Sequence, residues 1–89
     1  MTLRCLAGKL AFVRVLASAL KHCTEADAQH AFLHPIRVVT DIRPDVDLYI
    51  GPSVIGNLLE VLIDEAEDEP VMFHADVLRP AFSKFLKGW

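Results

Sequence analysis

Pro35 divides this chain into two stretches with different periodicities, and that division constrains the fold more than any other feature. Before it, residues 2–21 contain no proline, and Leu3, Leu6, Ala7, Leu10, Leu16, Ala17 and Leu20 recur at helical spacing. Arg4, Arg14, Ser18 and Lys21 fall on the opposite side, so the spacing predicts an amphipathic helix over 2–21. His22-Cys23 is a short connection. Thr24 then reads as the N-cap of a second helix, with Asp27 three residues on, where a capping box places its acid. Glu25 and Asp27 also suit the positive end of the helix dipole. This helix runs to about Leu33, buries Ala26, Ala28, Ala31 and Phe32, and is stopped by Pro35.

After Pro35 the pattern is that of strands. Ile36–Thr40 is a β-branched strand, Asp41–Asp45 a turn containing Pro44, and Leu48-Tyr49-Ile50 a second strand closed by Gly51-Pro52. Gly56-Asn57 marks a turn, and the apolar run Leu58–Ile63 reads as a central strand. Asp64–Glu69 is a hairpin loop and Pro70–Ala75 the last strand. Connections this short favour antiparallel neighbours. Residues 76–87 read as a terminal helix, with Asp76 as N-cap, Pro80 in the first turn and Phe82, Phe85 and Leu86 along one face. The expected fold is a single α+β domain over 1–89: two N-terminal helices, an antiparallel three- to four-stranded sheet and a C-terminal helix.

Eighty-nine residues provide one core. A hydrophobic fraction of 53% leaves an apolar surplus, which with Phe82, Phe85, Leu86 and Trp89 points to an interface with a protein partner or a second copy; Trp89, after Gly88, either makes that contact or packs back on its own core. The net charge of −3 lacks the basic surplus of an autonomous nucleic-acid binder. The charge is uneven, however. Residues 60–69 hold six acids and no base, whereas 79–87 hold Arg79, Lys84 and Lys87 and no acid. Cys5 and Cys23 would lie roughly 27 Å apart along the predicted helix, too far to bridge, which fits a reducing, cytoplasmic location. Arg14 interrupts the N-terminal apolar stretch, leaving it too short for an export signal or a membrane span.

The chain contains no Gly-rich phosphate loop, CxxC, HExxH or GxSxG. Its histidines are His22, His30, His34 and His74. His30 and His34 have the spacing of a two-histidine metal site, but Pro35 ends the helix there and no third ligand is poised, so neither a metal nor a cofactor is expected. The acidic stretch 64–69 lacks the spacing and glycine of a calcium loop and reads as a solvated hairpin tip. His74–Lys84 (HADVLRPAFSK) is more suggestive, because a strand end delivers His74 while Arg79 and Lys84 follow. An imidazole with nearby cations is the equipment of metal-free RNA cleavage, one group moving protons while the others hold phosphate. By residue type alone, a structural cluster and a phosphate-handling one both stay open. A mobile Arg79 is expected to contribute little to stability.

Three segments, Lys21–Arg37 (KHCTEADAQHAFLHPIR), Leu48–Glu60 (LYIGPSVIGNLLE) and Val71–Phe82 (VMFHADVLRPAF), resemble the small actinobacterial proteins known as BrnT-like toxins, of the RelE/ParE-type superfamily of toxin–antitoxin systems. The resemblance lies in the order of "HP", "IGP", "GNLLEV", "HA" and "RP" followed by an aromatic, between about residues 21 and 86. It implies a compact α-β fold and a metal-independent endoribonuclease that inhibits translation. It further implies a cognate antitoxin as partner, RNA as substrate, operator DNA reached only through the antitoxin complex, and no membrane. By the same resemblance His74, Arg79 and His30 fall on the recurring catalytic positions, with Arg37 and Lys84 as RNA-binding cations. The chain departs from the family at Asp76, often Met, and at Ala81, often Lys; Lys84 stands one helical turn later. Those departures carry the alternative expectation, a catalytically degenerate relative that only binds its partner protein.

Overall fold

The computed structural model describes residues 13–66 and 68–86. Five strands form one mixed sheet: β1 (Arg14–Val15), β2 (Arg37–Arg43), β3 (Val46–Pro52), β4 (Leu58–Asp64) and β5 (Val71–Val77), in the spatial order β1-β5-β4-β3-β2. Strands β2 to β5 are a meander of antiparallel neighbours, whereas β1 runs parallel to β5. Two α-helices accompany the sheet, α1 (Glu25–Leu33) and the single turn α2 (Pro80–Ser83).

This corrects the expected architecture of two N-terminal helices, an all-antiparallel sheet of three to four strands and a long terminal helix. Residues 2–12 of the expected first helix, Cys5 included, lie outside the described residues. Its remainder is not α-helical: Arg14–Val15 is a strand and Ala17–Leu20 a 3-10 turn. The Val13-Arg14-Val15 alternation suits a sheet edge, with Val13 buried and Arg14 exposed. Strand pairing of Arg14 with Val71 and Val15 with Met72, extended by Leu16 N–H to the Met72 carbonyl, overrides the helical spacing. Gln29, itself buried, brackets Val13 as a neighbouring strand would: its Nε2 donates to the Val13 carbonyl (2.7 Å) and its Oε1 accepts from the Val13 N–H.

The C-terminal expectation fails for a different reason. Asp76 does not cap a helix; it and Val77 stay in β5, opposite Glu60 and Leu59. A residue before proline is pushed to extended backbone, and Arg79 is extended (φ −97°, ψ 158°), so the helix begins only at Pro80. It soon tightens into a 3-10 turn over Lys84–Leu86. Lys87 and Trp89, and with them the expected contact of the indole, lie outside the described residues. Strand β2 also runs past the expected turn, to Arg43, because a bulge at Asp41 (φ 54°) is held by Asp47 Oδ1, which accepts the Asp41 N–H.

Helix α1 forms where the sequence puts it. Thr24 Oγ1 accepts from the Asp27 N–H, and Glu25 and Asp27 occupy the first turn. Its inner residues Ala28 and Ala31 are fully buried against Leu59, Val61, Ile63, Met72 and Ala75. These small side chains bring the helix so close that a Cβ at Gly51 would run into the Ala31 carbonyl, which is why the "IGP" strand carries glycine there. The other sheet face is covered by the C-terminal segment, whose Leu78, Phe82, Phe85 and Leu86 lie over Val46, Leu48, Ile50 and Leu62.

Candidate functional site

Strand alternation sends Leu59 and Val61 toward α1 and the residue between them, Glu60, to the opposite face. Glu60 is fully buried. A carboxylate in that position is tolerated only if its charge is matched and its oxygens are hydrogen-bonded. Both conditions are met by four donor groups from two residues of the β5–α2 segment, His74 and Arg79. Oε2 accepts from His74 Nε2 (2.8 Å) and from Arg79 Nε and Nη2 (2.6 Å each), and Oε1 accepts from the Arg79 backbone N–H (2.9 Å).

Two local features deliver these donors. A register shift between Leu62 and Ile63 leaves Phe73 as an extra residue in β5, so His74 stands directly opposite Leu62 on the face of Glu60. Past the strand end, the Leu78 N–H bonds to the Leu58 carbonyl, and extended Arg79 folds its side chain back to Glu60. Because a carboxylate oxygen only accepts, His74 Nε2 is the N–H donor of this contact. The pairing with Glu60 raises the Arg79 pKa above its ordinary value. Half of the Arg79 side chain stays exposed, with its guanidinium 5.5 Å from the centroid of the Phe82 ring.

Asp76 is the direct cross-strand neighbour of Glu60, and its charge is turned aside. Oδ2 pairs with His22 Nδ1 (3.1 Å), and Oδ1 accepts the Val77 N–H (2.7 Å). Burial alone would push its carboxyl up, but the Val77 and His22 hydrogen bonds and the charges of His22 and His74 outweigh it and hold the pKa below the usual value. Burial, then the nearby Asp27 and Asp76 charges, push the Cys23 thiol up, away from thiolate reactivity.

The sequence-derived candidates divide on this map. His74 and Arg79 come together. Arg37 lies in their row: Arg37 pairs with Ile50, Ile50 with Glu60 and Glu60 with Asp76, and directly opposed residues share a face. At about 4.8 Å per strand, Arg37 is two strands, roughly 10 Å, from Glu60 along the backbone. His30 is not part of the cluster. It sits on α1, which packs on the other face, and its Nδ1 donates to the Pro52 carbonyl (2.8 Å). Lys84 lies over the Phe85 ring, 5.4 Å from its centroid, and is not among the donors to Glu60.

The residue that organises the site, Glu60, escaped the sequence reading. Its signal was present: it is the one charged residue inside the apolar run Leu58–Ile63, and a carboxylate there needs buried partners. Among the described residues no helix is long and apolar enough to cross a membrane. Comparison of the sequence with protein families, with curated proteins and with solved structures gives no match.

Proposed function

We propose that this chain is a toxin-type, metal-independent endoribonuclease, with Glu60, His74 and Arg79 as its working unit. The observation that supports this reading is the shared Glu60 carboxylate, which fixes an imidazole and a half-exposed guanidinium on one sheet face. Segments quoted for the toxin-family resemblance supply all three residues: Glu60 from "GNLLEV", His74 from "HA" and Arg79 from "RP".

In the proposed reaction His74 Nδ1 accepts the proton of an RNA 2′-hydroxyl as that oxygen attacks the adjacent phosphorus. The bond from phosphorus to the 5′ oxygen breaks, and the leaving oxygen takes a proton from water. The products are a 2′,3′-cyclic phosphate and a 5′-hydroxyl, and the imidazolium returns its proton to solvent. Arg79 holds the phosphate and its developing charge, assisted by Arg37 from the same row. Glu60 keeps His74 in the tautomer with a basic Nδ1, and the His22 pairing reduces the repulsion between Asp76 and an incoming phosphate.

A second reading, the non-catalytic partner-binding relative, is favoured by a separate observation. Arg79 already spends Nε and Nη2 on Glu60, while Val54 (60% exposed) and Ile55 (82% exposed) present apolar surface beside α1. Inducible expression in a bacterial host separates the two. Growth arrest that His74→Ala abolishes and the neighbouring gene product relieves supports the ribonuclease. Unimpaired growth, with tight binding to that same product, supports the binding module.

A further inference from the structure

His30 and His34, which the Glu60 cluster does not use, stand together on the far side of the sheet. Pro35 does not disrupt them. The His34 N–H still donates to the His30 carbonyl (3.0 Å), so the last helical turn reaches His34 and stacks the two side chains. Their ring centroids are 4.5 Å apart, with the planes tilted by 42°. With metal–nitrogen bonds of about 2.1 Å, two imidazoles on one ion have centroids roughly 4.5–5.2 Å apart for ligand angles between octahedral and tetrahedral. The observed pair falls at the octahedral end of that range.

A second observation concerns the proton. A carbonyl only accepts, so the contact to Pro52 requires His30 Nδ1 to be the N–H donor. That fixes the tautomer in which Nε2 carries the lone pair, the arrangement by which ligand histidines are oriented through their other nitrogen. His30 lines an open groove with Glu25, Ala26, Gln29, Leu33 and Val54, and His34, beside it, is exposed. Among the described residues no group of three or more histidines, cysteines or carboxylates is placed to hold a metal. Among the described residues, an ion bound here would therefore have two protein ligands, His30 and His34.

We propose that His30 and His34 form a two-imidazole site for a borderline divalent transition metal, represented by Zn(II). Imidazole favours Zn(II), Cu(II) and Ni(II) over the hard Mg(II), which sets the selectivity. The proposal does not depend on ribonuclease activity.

The test is calorimetric titration of the full chain with zinc chloride, alongside nitrogen NMR of the imidazole rings. One equivalent of Zn(II) is expected to bind, with the His30 Nε2 resonance shifting and Nδ1 keeping its proton; magnesium chloride is expected to give no binding. His34→Ala, at an exposed position, should weaken Zn(II) binding at least tenfold, and His22→Ala should leave it unchanged. No binding at millimolar Zn(II), full binding by His34→Ala, or a metal shift at His74 in place of His30 would each overturn the assignment.

Discussion

The two faces of this sheet solve burial in opposite ways. Toward α1 the contact is dry and close: Ala28, Ala31 and Gly51 remove side-chain bulk until helix backbone meets strand backbone. Toward the C-terminal segment the sheet buries the Glu60 charge and satisfies it with His74 and Arg79. The first arrangement is determined by volume and serves stability. The second keeps two titratable or cationic groups in fixed positions at the surface, which hydrophobic residues of the same size would do without. A buried ion cluster is weak support for stability, so its presence asks for a functional reason.

The comparison is tested most severely on the dry face. Gly51→Val should cost about 3 kcal/mol through overpacking against Ala31, seen as a lower urea midpoint at unchanged slope. If the variant unfolds at the parent's midpoint, the close approach does not exist.

Next comes the charged face, where stability and activity should separate. Glu60→Ala leaves a cavity and unmatched donors and should lose about 2–3 kcal/mol. Glu60→Leu should recover most of that loss while remaining as inactive in RNA cleavage as His74→Ala. Recovery of cleavage by Glu60→Leu would show that the carboxylate only fills space.

Arg79 sharpens the same contrast. A mobile arginine would leave the melting temperature unchanged when replaced, but the Glu60 contacts predict a measurable drop for Arg79→Ala. Cleavage should fall by about 10²–10³-fold, the usual effect of removing one charge-stabilising donor. His30→Ala, on the other face, should leave cleavage at the parental rate.

A smaller effect is expected with acid. Asp76 has a folded pKa below its ordinary 3.8, so its contribution to stability is present above that value and is lost as pH falls toward the folded pKa. The stability difference between the parent and Asp76→Asn should therefore shrink as pH falls from about 5 through 3.8 toward the folded pKa. A difference that persists at low pH would contradict the His22 and Val77 contacts. The smallest change is Asp45→Gly in the β2–β3 hairpin, where relief of the left-handed backbone (φ 64°) should add about 1 kcal/mol of stability.

How much of this was legible depends on the range of the forces involved. The Thr24 cap, helix α1 and strand β4 follow from local chemistry, and each is found where the residues place it. The β1 strand was not legible, because Val13–Leu16 take their conformation from Met72 and Gln29, partners far along the chain. The late start of α2 follows from Pro80, which holds Arg79 extended, although the helical spacing of Phe82, Phe85 and Leu86 suggests a longer helix. For the site, His74 and Arg79 stood out by residue type, whereas their connection through Glu60 required the β4–β5 register. That His30 lies on the sheet face opposite Glu60 was not legible, because sequence order gives no indication of sheet face.

The central claim is that the Glu60-held pair of His74 and Arg79 cleaves RNA without metal. The most direct measurement incubates bulk RNA with the purified chain in EDTA, beside His74→Ala, Arg79→Ala and the double variant, and identifies the new ends. The account predicts 2′,3′-cyclic phosphate ends from the parent, with the double variant losing about as much rate as either single one, as residues acting as one unit do. Intact RNA with the folded parent, or single losses that simply multiply in the double variant, would contradict it.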